Sequence, residues 1–198
     1  MFTGIIESTG RVTELHAAEN GARICIDAGT IALRMKSGDS IAVDGICLTV
    51  VRRKGKRLWI DVSAETWSCT NLAHRTTGSV LNLEAPLTAN SMMSGHFVQG
   101  HVEGVGRVRK WIHKGEDVRI FVQLPASLVP FCVPKGSIAI NGVSLTIASQ
   151  KGNTIGIALI PYTLRHTNLS RLQPGDLVNV ETDMIGRYVV STLKMRGG

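Results

Sequence analysis

Cys47 and Ser144 occupy one position in two nearly matching segments, each followed by Leu and Thr, so a thiol stands where a hydroxyl stands in the other copy. The segments are Ser40-Ile41-Ala42-Val43-Asp44-Gly45-Ile46-Cys47-Leu48-Thr49-Val50 and Ser137-Ile138-Ala139-Ile140-Asn141-Gly142-Val143-Ser144-Leu145-Thr146-Ile147, with six of eleven residues identical. The same comparison sets Ile5 against His101, Gly38 against Lys135 and Pro86 against Asp183. The second copy therefore holds an imidazole, an ammonium and a carboxylate that the first lacks. An imidazole with a pKa of about 6.5 exchanges protons at neutral pH, and a thiol or hydroxyl beside a base can act as a nucleophile. Each residue also has a plainer reading: Cys47 as a small buried hydrophobe, His101 as a polar strand end, Lys135 and Asp183 as solvated turn charges. Together, at the ends of matched strands, they point to a small-ligand site able to move protons.

A duplicated domain must position these groups. Gly4-Ile5-Ile6-Glu7-Ser8-Thr9-Gly10-Arg11-Val12 is answered by Gly100-His101-Val102-Glu103-Gly104-Val105-Gly106-Arg107-Val108. Thr70-Asn71-Leu72 is answered by Thr167-Asn168-Leu169, and Gly78, Asn82 and Glu84 by Gly175, Asn179 and Glu181. The spacing is 96 residues at the start and 97 afterwards, beyond the roughly 20–50 of solenoid repeats. The expected division is residues 1–97, residues 98–184 and a terminal helix over 185–198. Each copy reads as short strands between glycine and polar turns, the pattern of a small antiparallel barrel or sandwich. Strands are predicted over residues 5–15, 22–28, 40–51, 57–63 and 79–85, then over 101–111, 117–123, 137–149, 153–160 and 176–181. Single helical turns are predicted over 30–36 and 125–131. After Asp183, the spacing of Ile185, Tyr188, Val189, Thr192, Leu193 and Met195 is helical, and this helix has no counterpart in the first copy.

Composition excludes several classes. No run approaches the 18 or so apolar residues of a membrane span, and the N-terminal residues lack the basic and apolar pattern of a secretory signal, so none is expected. Four cysteines without close spacing suggest reduced thiols in a cytoplasm rather than staples or a metal site. The net charge of +7 raises nucleic acid as a partner. However, the densest basic run, Arg52-Arg53-Lys54-Gly55-Lys56-Arg57, lies between two strand patterns and reads as a solvated hairpin turn without interleaved aromatics. Neither nucleic acid nor membrane is therefore expected as a partner.

Met1-Phe2-Thr3-Gly4-Ile5, Gly45-Ile46-Cys47-Leu48-Thr49 and Ser94-Gly95-His96-Phe97-Val98-Gln99-Gly100-His101-Val102-Glu103-Gly104 resemble riboflavin synthase. So do Lys135-Gly136-Ser137-Ile138, Gly142-Val143-Ser144-Leu145-Thr146 and Ile160-Pro161-Tyr162-Thr163-Leu164, in order along nearly the whole chain. The resemblance implies an all-β fold of two homologous six-stranded Greek-key antiparallel barrels plus a C-terminal α-helix that assembles a homotrimer. It implies two bound molecules of 6,7-dimethyl-8-ribityllumazine, with an active site between barrels of different subunits. One lumazine gives a four-carbon unit to the other, yielding riboflavin and 5-amino-6-(ribitylamino)uracil. Donor and acceptor are the same compound, so no cofactor or metal is required. Association with a lumazine synthase is raised by the same resemblance.

Carried over by position, the substrate-binding segments are Gly4, Ile5 and Ile6 with their counterparts Gly100, His101 and Val102, and Cys47, Leu48 and Thr49 with Ser144, Leu145 and Thr146. Asp61, Val62, Ser63, Ala64, Glu65 and Thr66 pair with Ala158, Leu159, Ile160, Pro161, Tyr162 and Thr163. The resemblance assigns proton transfer to His101, assigns positioning or activation of the nucleophile to Cys47 and Ser144, and adds Thr146 to the catalytic set. Lys135 reaches the partner subunit's ligand, and Asp183 orients a neighbour or the ribityl chain. Met93-Ser94 before Gly95, Ala73, Ser170, Trp67 and Cys69 depart from the family pattern around the pocket rims.

Overall fold

Alternation of buried and exposed side chains along short Val/Ile-rich runs closes two barrels; the computed structural model describes residues 1–115 and 117–196. The first contains β1 (Ser8–Ala18), β2 (Gly21–Asp27), β3 (Ser40–Val43), β4 (Ile46–Lys54), β5 (Arg57–Ser63) and β6 (Val80–Glu84), ordered β1-β2-β5-β4-β3-β6. The second contains β7 (Gly104–Lys114), β8 (Asp117–Gln123), β9 (Ser137–Ile140), β10 (Val143–Lys151), β11 (Thr154–Leu159) and β12 (Leu177–Thr182), in the same cyclic order. Each barrel surrounds its own apolar core, with Ile24, Ile41, Leu58 and Ile60 fully buried in one and Ile138, Ile140, Ile155 and Ile157 in the other.

The runs expected as single strands over 40–51 and 137–149 are each two strands. Asp44 (φ 46°) and Gly45 (φ 79°) turn the chain between β3 and β4, and Asn141 (φ 46°) and Gly142 (φ 78°) do so between β9 and β10. Two consecutive left-handed residues favour Asp-Gly and Asn-Gly and make a tight hairpin, which supplies the sixth strand of each barrel. Short helices at the barrel mouths, α1 (Ala64–Cys69) and α2 (Pro161–His166), were not expected. Ser63 Oγ caps α1 by accepting the Thr66 N–H, and α2 opens on a proline. The predicted terminal helix is present as α3 (Met184–Arg196); its expected continuation over 197–198 lies outside the described residues. In its exposed positions α3 carries Ile185, Tyr188, Val189, Leu193 and Met195.

β1 and β7 begin three residues later than expected, because the chain before each leaves its own barrel. The Phe2 N–H donates to Val98 O (2.7 Å) and the Val98 N–H to Phe2 O (3.1 Å), so the two leading segments pair with each other along the barrel interface. Ile6 packs on the second core and Val102 on the first.

A buried polar network on an approximate twofold axis locks the barrels together. The Asn71 N–H donates to Asn179 Oδ1 and the Asn168 N–H to Asn82 Oδ1, both at 2.7 Å. Asn82 Nδ2 donates to Asn141 O and Asn179 Nδ2 to Asp44 O, both at 2.9 Å. Gly45 and Gly142 stack so closely that a Cβ on either would lie 2.6 Å from the other's backbone nitrogen. The symmetry breaks where the copies differ in sequence: Asp44 Oδ2 accepts from Arg75 (2.7 Å), whereas the equivalents are Asn141 and Leu172.

Candidate active site

Each barrel mouth joins the start of one strand, the end of its neighbour and a segment from the other half. In the first, the pairing of Val50 with Ile60 sets the start of β4, Cys47 to Thr49, beside the end of β5 and α1, Asp61 to Thr66. Residues 100–102 complete it: the Cys47 N–H donates to Gly100 O at 2.8 Å. In the second, Ser144 to Thr146 lie beside Ala158 to Thr163, and residues 4–6 complete the mouth through the Ser144 N–H donating to Gly4 O at 2.8 Å. The crossing requires glycine at both points. A Cβ on Gly4 (φ 76°) would lie 2.6 Å from Ser144 Cβ, and one on Gly100 (φ 80°) 2.6 Å from Cys47 Cβ.

Two buried carboxylates hold these segments, and their match between the copies is their signal in the sequence. Glu84 accepts from the Thr3 N–H (2.7 Å), Thr3 Oγ1 (2.8 Å) and the Gly4 N–H (3.0 Å). Glu181 accepts from the N–H groups of Gln99 (2.6 Å), Gly100 (2.9 Å) and His101 (3.1 Å). Burial pushes both carboxyls up from the usual range, and the backbone donors oppose that shift.

The structure groups the expected residues unevenly. Cys47, Ser144 and Leu145 are half-buried at the mouths, while Thr49, Ser63, Ala64, Glu65, Thr146, Ala158, Ile160, Pro161 and Tyr162 are exposed around them. Thr66 and Thr163 are half-buried. Leu48, Val62 and Leu159 point into the cores, which leaves their backbone to face a ligand. Asp61 is committed on the outer surface to a two-point ion pair with Arg23 (2.6 and 2.8 Å), which lowers its pKa. Tyr162 stacks on His166 with 4.0 Å between ring centroids.

His101 is exposed, with its backbone tied to Glu181. The imidazole that meets Ser144 belongs to His96, whose Nδ1 lies 2.7 Å from Ser144 Oγ. Gly95 allows this, since a Cβ there would lie 2.0 Å from Thr3 O, and the His96 N–H then donates to Thr3 O (3.2 Å). Burial lowers the His96 pKa and the charge of Asp183 opposes it, so the ring is neutral at pH 7 and can accept the Ser144 proton. Its Nε2 is buried without a hydrogen-bond partner among the described residues. His96 lies between the copies and has no counterpart in the first, so comparing them could not find it; its place beside Gly95, ahead of the second leading segment, was the available signal.

Asp183 accepts the Ile185 N–H (2.9 Å), capping α3 where that helix leaves the second mouth. Lys135 is exposed and holds φ 69° in a turn where its counterpart Gly38 holds φ 93°. The turns match, with the Lys135 N–H donating to Ile147 O (2.7 Å) and the Gly38 N–H to Val50 O (2.8 Å). A left-handed lysine costs about 1–2 kcal/mol that glycine would avoid, the kind of strain that clusters at functional sites.

Two twin barrels with exchanged leading segments define a duplicated ligand-binding protein, and similarity to known proteins gives the class. The lumazine binding domain model matches residues 3–86 and again 99–183, and the chain belongs to that family. It is 41% identical to riboflavin synthase of Bacillus subtilis (strain 168), over 96% of this chain and 88% of that one. It is 42% identical to riboflavin synthase of Chlamydia muridarum, over 98% and 95%. Among solved structures it resembles LumP complexed with 6,7-dimethyl-8-(1'-D-ribityl) lumazine, with a TM-score of 0.84, 26% identity and coverage of 92% and 99%. The riboflavin complex of LumP gives 0.85, 28%, 92% and 99%.

Proposed function

We propose that the protein is a riboflavin synthase, a transferase that converts two molecules of 6,7-dimethyl-8-ribityllumazine into riboflavin and 5-amino-6-(ribitylamino)uracil. The observation that carries the reading is the pair of homologous mouths with unlike chemistry: Ser144 hydrogen-bonded to a neutral imidazole in one, and a half-buried thiol at Cys47 in the other. Two identical substrates need two similar cavities, but donor and acceptor need different help. The C7 methyl group of the lumazine is acidic because its anion delocalises into the ring, so orientation of the two rings supplies much of the rate. Ser144, with His96 taking its proton, adds at C7 of one lumazine. Two carbon–carbon bonds join the four-carbon unit to the other ring as its two carbon–nitrogen bonds to the pyrimidine break. The Ser144 oxygen leaves C7 and recovers its proton, and the freed pyrimidine takes up the protons that the joining carbons lose.

The finer proposal is a homotrimer in which the first mouth of one subunit meets the second mouth of another. The exposed apolar residues of α3 supply an assembly surface, and Lys135 and Asp183 reach the neighbouring ligand. No helix among the described residues is long and apolar enough to cross a membrane. A cytoplasmic location and association with lumazine synthase belong to the same proposal.

Purified protein mixed with 6,7-dimethyl-8-ribityllumazine should generate the absorbance and green fluorescence of riboflavin, one riboflavin per two lumazines consumed. Saturable lumazine binding without conversion would instead make the protein a chromophore carrier.

A further inference from the structure

The groove that α3 fills on the second barrel is open on the first. α3 packs on the 310 turn Ala126–Phe131, with Gly186 against Phe131 O, and its Arg187 reaches Gln99 and Glu103 (3.3 Å to the latter). The counterparts of Gln99, Glu103 and Phe131 are Thr3, Glu7 and Arg34, and all three line a 760 Å³ cavity. Within that cavity Arg34 pairs with Glu7, repeating with a residue of the 310 turn the contact that α3 supplies in the second copy. Residues 85–88, Ser91, Met92 and Ser94 of the linker form the far wall, where the second barrel has the start of α3.

The chemistry of the lining selects a ligand. Each carboxylate in the cavity accepts at least one hydrogen bond: Glu84 from Thr3 and the Gly4 N–H, Glu7 from Arg34 and the Ala85 N–H, and Asp39 from the Lys36 N–H, and of the three Glu7 is the one in an ion pair. The Lys36 ammonium makes no ion pair among the described residues. Ile5, Met35, Pro86, Leu87 and Met92 supply apolar surface, with Ile5 and Met92 exposed. The volume lies in the range of small-molecule sites, roughly 300–1,000 Å³. We propose that this cavity is a separate site for a small aromatic anion, its ring against Ile5, Pro86 and Met92 and its acid group on Lys36. It shares only the residue 4–6 segment with the second mouth, and it does not depend on the proposed reaction.

Calorimetric titration of the full-length protein with 1-naphthalenesulfonate, with and without saturating riboflavin, tests this. One molecule should bind per chain in both conditions, and neutral 1-naphthalenesulfonamide should bind at least about tenfold more weakly. Lys36→Gln and Met92→Asp should each weaken the sulfonate about tenfold, whereas Lys56→Gln, on the distant basic hairpin, should not. Displacement by riboflavin, equal binding of the sulfonamide, indifference to Lys36→Gln, or no saturable binding to the folded wild-type protein would each overturn the proposal.

Discussion

At the scale of single residues, the proposed proton transfer from Ser144 to His96 carries a pH dependence that can be measured. A depressed His96 pKa means the neutral ring is the working form, so activity should hold at pH 7 and fall as the ring protonates, below the 6.5 of a free imidazole. His96→Gln should lower kcat by about 10²-fold and flatten that acid limb, while His101→Ala should leave the limb in place. A full pH profile of kcat for both variants separates the two imidazoles; an unchanged acid limb in His96→Gln would remove His96 from proton handling. The linkage has the same sign for folding. The unfolded chain takes up the His96 proton first as pH falls, so the contribution of this group to stability is present above pH 6.5 and lost below it. Lys135 gives a second test. Lys135→Gly relieves a left-handed side chain and should raise stability by about 0.5–1 kcal/mol in urea denaturation while turnover drops.

At the scale of elements, the leading segments at residues 2–6 and 98–102 behave as straps exchanged between barrels. Their register rests on Glu84 and Glu181 on one side and on the glycine contacts with Ser144 and Cys47 on the other. Gly100→Ala places a methyl group 2.6 Å from Cys47 Cβ at φ 80° and should cost at least about 2 kcal/mol in chemical denaturation. Lumazine binding at the first mouth should weaken in the same variant, while Gly55→Ala, whose added Cβ meets nothing within 4 Å, should leave binding intact. The alternation of apolar residues locates most strands to within three residues. It does not show the Asp44-Gly45 and Asn141-Gly142 breaks, because apolar residues on both sides continue one run; the dipeptides themselves were the legible turn signal. α1 and α2 were missed because six residues are too few for a periodicity to show.

At the scale of the whole molecule, the matched Thr-Asn-Leu motifs, Asn82 and Asn179 are the joint between barrels rather than ligand contacts. Divergence at this joint is paired: Asp44 goes with Arg75, and Asn141 goes with Leu172. Asp44→Asn alone leaves the Arg75 guanidinium half-buried without its carboxylate and should cost about 3 kcal/mol. Adding Arg75→Leu should restore most of that loss, since the double variant reproduces the arrangement the second barrel already uses. A thermal denaturation cycle over the wild type, both single variants and the double variant measures the coupling, and additive losses would contradict it.

The amino-acid sequence by itself determined the duplication, the strand-rich barrels, the terminal helix and the matched positions around Cys47 and Ser144. These are legible because side-chain alternation is a local property and the second copy repeats the first. Tertiary structure alone decided which leading segment serves which mouth and that His96, rather than His101, lies on Ser144. It also decided that the groove filled by α3 on one barrel stays open on the other. Those outcomes depend on contacts between residues 40 to 140 positions apart, and neither composition nor spacing encodes which of two nearly identical surfaces a segment will meet.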